Sequence, residues 1–318
     1  MNIPRRRFLA DVTTALVAPA FLGRGVPGRF APLSADHFVE RWSWAMGQPV
    51  HLMLFAESEQ SGLDAAAAAL AELRRVESKL SLFDSASDLS ELNRRAGREA
   101  MRLDRDLAAV LGAALEFQRR TGGSFNIAVE PLMRAWGFHL ARRTEPSAAE
   151  LREARDAVSA ARIKMSGSAA RLEGSHAALD LGGIGVGYGL DQAAGVLRAR
   201  GVRSALIDVS GDCIALGAPP GESGWRVEIA RKSPPLAPRR VVRLRDAALA
   251  TSANTESVIR YGNHVFGHIL NPGTGIPADA RTQVTVVARS GITADALSTA
   301  MLVGGREYTG VEKSYMEV

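Results

Sequence analysis

The chain has 318 residues, of which 46% are hydrophobic and 23% charged, and its formal net charge is +5. These values are typical of a globular protein with one large domain or two ordinary ones, and they exclude disorder throughout the chain. The single cysteine, Cys213, excludes a disulfide framework or a multi-cysteine zinc site within this sequence, and the mild charge argues against nucleic-acid binding.

The N-terminal segment is predicted to be a signal peptide of the twin-arginine type. Three arginines at 5–7 precede a short apolar run at 12–22, and Ala18-Pro19-Ala20 resembles a cleavage site. The run is shorter than the ~20 residues that a membrane-spanning helix needs, and no later run is long enough either. We expect residues 1–30 to direct export to the periplasm and residues 31–318 to form the functional domain. The alternative is a basic tail on a cytosolic protein.

The predicted elements after this segment mix strands and helices without strict alternation. In chain order they are a strand at 49–56, a helix at 62–80, a loop entering a short helical turn at 84–93, helices at 104–121 and 146–160, a strand from 172 into a glycine-rich turn, a helix at 188–201, strands at 204–209, 225–230, 240–244, 247–252, 265–270 and 283–289, and a helix at 293–303. Residues 231–239 are predicted to be a loop between two strands. This order predicts an α+β fold. Three tryptophans, Trp42, Trp44 and Trp225, are more typical of a packed core than of stacking on a ligand.

A glycine-rich segment runs from Asp180 to Gly189, after a strand and at the start of a helix. Glycines let the backbone approach a phosphate closely, and the amides and dipole of a helix N-terminus favour an anion. The glycine spacing matches neither the dinucleotide-binding fingerprint nor the phosphate-loop motif. The segment is therefore either a phosphate-binding turn or a tight turn packed against a neighbouring element.

Asp295 and Thr299 are four residues apart in the last predicted helix and therefore share one of its faces. A carboxylate and a hydroxyl are hard oxygen ligands of the kind that Mg²⁺ takes. The alternative is that Asp295 lies in the first helical turn and caps its own helix.

Two further segments suggest a ligand pocket. His268 ends a predicted strand and precedes a loop rich in glycine and proline, so it is a candidate base, a phosphate contact or a buried structural histidine. Residues 121–138 combine glycines, aromatic residues and a proline after a helix, which suggests a pocket for a flat ligand or a packed core turn. The remaining histidines are isolated and have no predicted role: His37, His51, His139, His176 and His264.

Taken together and in this order, these segments resemble the ApbE family of FAD:protein FMN transferases. The resemblance covers roughly residues 45–305 and is carried by Met46-Gly47, Glu77–Phe83, Ser87–Asn93, Gly123–Asn126, Pro131-Leu132, Trp136–Phe138, Asp180–Gly183, Gly187-Tyr188, Asp191, Gly201-Val202, Ser210–Asp212, Gly224-Trp225, Thr251-Ser252, His268-Ile269, Pro272, Thr274-Gly275 and Ala294–Leu297.

The resemblance implies an ApbE-like, T-fold-related α+β fold with mixed sheets and packed helices around a flavin cleft. It implies Mg²⁺-dependent transfer of FMN from FAD to a Ser or Thr hydroxyl of a target protein, with release of AMP. Position by position, it implies FAD contacts at Met46, Phe83, Ser124, Phe125, Asn126, Val186, Gln192 and Ile269. It implies that Mg²⁺ binds the Gly189 carbonyl and the side chains of Asp295 and Thr299, aided by Ser298. The candidates for handling the hydroxyl proton are His268 and Asp295.

The sequence departs from the family pattern at three places. Val186 stands where Lys or Glu is usual, Asn126 stands where Asp is usual, and residues 253–255 replace a glycine followed by an aromatic residue. The tail after Gly305 is short and polar, where relatives continue through more helix and strand. These departures keep two alternatives open: a hydrolase that splits FAD into FMN and AMP, and a non-catalytic FAD-binding assembly factor.

Overall fold

A seven-stranded antiparallel sheet is the frame of the molecule, in the order β1-β2-β6-β7-β10-β13-β14. The computed structural model describes residues 37–229, 240–255, 257–278 and 282–317. The predicted signal peptide and the predicted loop at 231–239 lie outside the described residues. The strands are β1 His37–Ala45, β2 Gln48–Ala56, β3 Met101–Arg102, β4 Arg162–Ser166, β5 Ala169–Glu173, β6 Ser204–Val209, β7 Asp212–Leu216, β8 Trp225–Ile229, β9 Arg240–Leu244, β10 Ala247–Ala253, β11 Val258–Tyr261, β12 His264–Gly267, β13 Gln283–Ala288 and β14 Lys313–Glu317.

Seven α-helices occur within the described ranges, and none of them is long and apolar enough to cross a membrane. They are α1 Glu59–Leu80, α2 Asp88–Arg94, α3 Arg105–Arg120, α4 Glu130–Trp136, α5 Ala148–Ala160, α6 Gly185–Ala199 and α7 Gly291–Gly304. The strands β3, β5 and β4 form a smaller sheet, and two hairpins, β8–β9 and β11–β12, lie apart from it. The predicted α+β class is confirmed.

The two faces of the large sheet are covered by different elements, because successive side chains of a strand point to opposite faces. One face packs against α1, α6 and α7, and Leu52 and Ile207 are among its buried side chains. The other face is covered by the β8–β9 hairpin, where Trp225 joins a cluster with Cys213 and Leu249. The helical face carries the site described below, so the sheet serves as its rigid support.

The tryptophans differ in their environments. Trp225 is buried, as expected of a core residue, whereas Trp42 and Trp44 are 59% and 55% exposed. Both belong to β1, which lies at the edge of the large sheet. The core expectation for this pair is therefore wrong, because the outward side chains of an edge strand face solvent.

Candidate active site

The first turn of α6, the facing side of α7 and the loop after β12 enclose a cleft of about 220 Å³. Its walls hold most of the predicted site residues: Ser124, Phe125, Asn126, Val186, His268, Ile269, Asp295 and Thr299. They also hold residues to which sequence reasoning gave no separate role, among them Gln48, Asp180, Gly183, Ser210, Thr251 and Ser252. Residues from widely separated segments thus meet at one cleft.

Five predicted site residues do not line this cleft: Met46, Phe83, Gly189, Gln192 and Ser298. Met46 lies in the β1–β2 turn, where its side chain packs near Gly189 of α6. Phe83 is 80% exposed and borders a separate groove of about 730 Å³ beside the cleft. Gln192 is half-buried in α6. The hydroxyl of Ser298 donates to the backbone carbonyl of Asp295 over 2.9 Å, so it supports the cleft wall from behind.

The N-terminus of α6 is capped by a side chain from α7. Its own N-cap residue, Ile184, makes no side-chain capping hydrogen bond. Instead the Gly187 N–H donates to Oδ2 of Asp295 over 2.9 Å. The first amides of a helix have no intrahelical acceptor, so this carboxylate satisfies a group that would otherwise be unpaired. Asp295 lies in the second turn of α7, and the interpretation that it caps its own helix is therefore wrong.

The N-terminus of α7 is capped in the same way by a side chain from α6. The hydroxyl of its N-cap residue, Ser290, is bonded to the Thr293 hydroxyl and to no helix amide. The two carboxylate oxygens of Asp191 accept the N–H groups of Gly291 and Ile292 over 2.7 and 3.0 Å. Each helix thus supplies the aspartate that caps the other.

Two glycines make this reciprocal capping of α6 and α7 possible. A Cβ placed on Gly187 would overlap the carbonyl group of Gly291, and a Cβ placed on Gly291 would overlap the carbonyl of Gly187. The backbones of α6 and α7 therefore touch directly. In each helix the aspartate follows the glycine by four residues, one helical turn further along.

Burial dominates the electrostatics of Asp295. It raises the pKa of this carboxyl to about 7, the nearby charge of Asp191 acts in the same direction, and the Gly187 N–H opposes both. Burial also raises the pKa of Asp191, against the two amides that it accepts. A buried carboxylate of this kind is costly to ionise alone and gains most from a cation.

The oxygen donors around Asp295 fit Mg²⁺. Apart from the Gly187 amide, no described residue makes a hydrogen bond to the Asp295 carboxylate. The Thr299 hydroxyl lies on the same wall, 3.2 Å from the Ser252 hydroxyl and against the backbone of Gly183. Among the described residues, no group of three or more His, Cys, Asp or Glu could hold a metal. One carboxylate with hydroxyls suits an ion that keeps water and substrate phosphates as its other ligands.

His268 contributes a half-buried, neutral imidazole to the cleft. Burial lowers its pKa, despite the nearby charge of Asp180, so the ring is unprotonated at neutral pH. Its Nδ1 atom has no hydrogen-bond partner within the described part of the chain. A neutral imidazole carries one unprotonated ring nitrogen, which is able to accept a proton from a substrate hydroxyl.

Asn254 explains one departure from the family pattern. This fully buried amide accepts the Ile269 N–H at 2.6 Å, and its nitrogen donates to the carbonyls of Ile269 and Ala278. It therefore fixes the loop after β12 to the end of β10. The strand predicted at 265–270 ends at Gly267, beyond which the Ile269 N–H donates to the Asn254 side chain and the Ile269 carbonyl also accepts the Ala278 N–H.

His139 is a component that the sequence did not reveal. Its Nε2 lies 3.2 Å from a carboxylate oxygen of Asp180, and its Nδ1 lies 3.6 Å from Glu130. Burial disfavours the charged ring, but the two carboxylates outweigh burial and raise its pKa to about 9. Burial raises the pKa of the half-buried Asp180 carboxyl, but this cation and the Gly182 N–H outweigh burial and lower it. Phe83 contacts the ring edge-on, at 5.6 Å between centroids, so His139 stands between the groove and the cleft.

The ApbE family model matches residues 46–313. The FAD:protein FMN transferase of Treponema pallidum is 30% identical, with 77% of this chain and 74% of the relative covered. The corresponding protein of Vibrio cholerae is 26% identical, with 74% and 72% covered.

Solved structures of ApbE proteins resemble this chain in fold. The crystal structure of the ApbE protein from Thermotoga maritima has a TM-score of 0.75 and 27% identity, with 84% of this chain and 87% of that chain covered. The flavinyl transferase ApbE of Pseudomonas stutzeri, in its apo form, has a TM-score of 0.74 and 25% identity, with 86% of each chain covered. With a family match across most of its length, this chain belongs to the ApbE family.

Proposed function

We propose that this protein is an Mg²⁺-dependent FAD:protein FMN transferase. It moves FMN from FAD to a Ser or Thr hydroxyl of a target protein and releases AMP. The observation that carries the proposal is the meeting of Asp295, Thr299 and His268 on the walls of one cleft in a member of the ApbE family. The named activity of its relatives supplies the reaction class.

The start of α6 is the proposed binding site for the pyrophosphate of FAD. Gly182 and Gly183 bring backbone close to the cleft, and the positive end of the helix dipole favours an anion. Val186 lines the same wall without a charge, so the amides and the cation must supply the attraction here. Asn126 uses its side-chain oxygen to accept the Ala128 N–H, which leaves its amide nitrogen to donate to a ligand.

Asp295 and Thr299 would hold Mg²⁺. Bound there, the ion would neutralise charge that develops on the pyrophosphate during transfer. The Gly187 N–H fixes one oxygen of Asp295, so the carboxylate is oriented before any ligand arrives. Ser252 bonds to the hydroxyls of both Ser298 and Thr299 and orients the Thr299 side chain.

His268 is the proposed proton acceptor. The hydroxyl oxygen of the target residue forms a bond to the phosphorus of the FMN moiety, and its proton passes to the unprotonated ring nitrogen of His268. The bond from that phosphorus to the bridging oxygen breaks, and AMP leaves with that oxygen. Asp295 is the weaker candidate for this role. A proton on its carboxylate would remove the negative charge that holds the cation.

We also propose that the reaction takes place in the periplasm. The proposal is supported by the basic and apolar pattern of residues 1–30, which is typical of a twin-arginine signal peptide. The target would be an exported or membrane-facing flavoprotein that presents a Ser or Thr.

The test combines purified protein, FAD and Mg²⁺, with and without an exported flavoprotein from the same organism. We expect AMP release and flavin fluorescence on the target that survives denaturing electrophoresis. AMP without a labelled target would favour the hydrolase alternative. FAD binding without AMP would favour a non-catalytic FAD-binding relative.

A further inference from the structure

The crossing of α6 and α7 contains a second aspartate that the proposed chemistry does not use. Asp191 is half-buried, lies in α6, and bonds to nothing in the cleft among the described residues. Both of its oxygens serve the first two amides of α7. Because both carboxylate oxygens accept amides of α7, Asp191 holds the start of α7 in place. This helix also carries Asp295.

We propose that Asp191 is a positioning residue that seats Asp295 for metal binding through the N-terminus of α7. The inference rests on the proposed function, since it assigns Asp295 the metal role given there. It adds a residue outside the cleft on which the cation affinity depends.

The first step is the dependence of the α7 start on Asp191. The first backbone hydrogen bond at this end runs from the Ala294 N–H to the Ser290 carbonyl. Among the described residues, the amides of Gly291 and Ile292 therefore have only Asp191 as acceptor. The Ser290 hydroxyl donates to the Thr293 hydroxyl and accepts no amide of this helix. Without the Asp191 carboxylate these buried amides are unpaired, and the first turn is expected to fray.

The second step leads from this turn to Asp295. Asp295 follows Gly291 by one turn, and Gly291 is pressed against Gly187 by direct backbone contact. A shift of the first turn of α7 therefore changes both the contact at the crossing and the distance from Asp295 to the Gly187 amide. Loss of one set of capping bonds is therefore expected to weaken the other, because each aspartate fixes the helix that positions the other aspartate.

The Gly187 amide reports on this coupling independently of any metal. It is one of the first amides of α6, and Asp295 is its acceptor. Its protection from hydrogen exchange therefore measures whether Asp295 is in place. A purely local loss of stability at α7 would expose Gly291 and Ile292 without exposing Gly187.

The experiment compares wild type with Asp191→Ala, Asp191→Asn and Ser147→Ala in the full chain. Ser147→Ala is the matched control, because Ser147 caps α5 from within its own segment and α5 packs mainly against α4. Amide exchange is followed by NMR, and cation affinity by titration with Mn²⁺ alone under electron paramagnetic resonance.

In Asp191→Ala we expect exchange of the Gly187 amide at least tenfold faster than in the control, and a Kd for Mn²⁺ raised about 10- to 100-fold. Asp191→Asn keeps one acceptor oxygen and should lie between. If the alanine variant does not fold, the asparagine variant carries the test. FAD binding measured without metal should change much less than the Kd for Mn²⁺.

Wild-type protection of Gly187 in Asp191→Ala, with Gly291 and Ile292 exchanging freely, would overturn the proposal. So would an unchanged Kd for Mn²⁺ in a folded variant. Failure of the proposed function has a different signature: wild type would release no AMP from FAD, while Gly187 would still lose protection when Asp191 is removed.

Discussion

Helices α1 and α5 begin very differently from helices α6 and α7. Ser58 and Ser147 each cap their own helix, and the side chain three residues later, Ser61 or Glu150, completes a capping box. At α6 and α7 neither N-cap side chain serves its helix, and the carboxylates come from the opposite helix. A local cap stabilises one helix. An exchanged cap also fixes the position of one helix relative to the other, and it places a buried carboxylate on the wall of the cleft.

The largest expected effect comes from removing the carboxylate that both caps α6 and faces the cleft. In Asp295→Ala we expect Mg²⁺-dependent AMP release to fall about a hundredfold or more, because cation stabilisation of a phosphoryl transfer is worth several kcal/mol. FAD binding should fall much less. AMP release is measured at saturating FAD over a range of Mg²⁺, and FAD affinity is measured from flavin fluorescence.

The control for this variant is Asp104→Ala, which removes an aspartate that caps its own helix, α3. Its AMP release should stay close to that of wild type. Unchanged turnover in Asp295→Ala would remove Asp295 from the metal site and would leave it only the capping role.

The next prediction tests the backbone contact between Gly187 and Gly291 on which the reciprocal capping depends. In Gly187→Ala the new methyl group meets the Gly291 carbonyl and lies 2.7 Å from the Asp295 Cβ, and neither neighbour is a flexible side-chain end. We expect a loss of about 3 kcal/mol or more in the free energy of unfolding, at the upper end of overpacking costs. Denaturant unfolding measures it.

Gly195 of the same helix provides the matched control. It is exposed, and nothing lies within 4 Å of a Cβ placed on it. Gly195→Ala should therefore stabilise the protein by about 0.5–1 kcal/mol through helix propensity and reduced freedom of the unfolded chain. Equal effects of the two substitutions would contradict a close crossing at Gly187.

His139 extends the comparison to a third carboxylate, because the half-buried Asp180 near α6 is paired with this cation as well as with the Gly182 amide. The pKa of His139 is about 9 in the folded protein and about 6.5 in a free side chain. A raised folded-state pKa gives stability that is fully present below pH 6.5 and is lost as the pH rises through 9. Wild type should therefore lose about 2–3 kcal/mol of unfolding free energy from this group over that interval.

His139→Gln should flatten this part of the stability profile, since the amide does not titrate. Denaturant unfolding at pH 6.5 and at pH 9 measures the difference between the two proteins. The same decline in both would show that the proton on His139 does not stabilise the fold.

The comparison also explains which parts of the fold the sequence could predict. Local signals were sufficient for α1, α5, β6 and β9, whose apolar spacing or short apolar runs lie within one segment. Three strands of the large sheet, β1, β7 and β14, were not predicted, and neither were β3, β4 and β11 outside it. The edge strand β1 carries exposed tryptophans that disguise its alternation, and β14 is polar and depends on pairing with β13.

The candidate site divides in the same way. The family motifs placed Asn126, His268, Asp295 and Thr299 in one cleft, and the structure brings them together. The pairing of His139 with Asp180 joins distant segments and has no local signal. The exchanged caps did have a local sequence signal, since a glycine followed by an aspartate four residues later occurs at both Gly187 and Gly291. Only the crossing of the helices gives this repeat a meaning.

The smallest expected effect belongs to a local cap. Ser147→Ala removes the side chain that accepts the Glu150 N–H at the start of α5, and it should cost about 1 kcal/mol of unfolding free energy. Faster amide exchange should be confined to the first turn of α5, because no other helix takes its position from this cap. AMP release should be unchanged. If α4, which packs against α5, also lost protection from exchange, local and exchanged caps would not differ in kind, and the special position given to Asp191 and Asp295 would lose its basis.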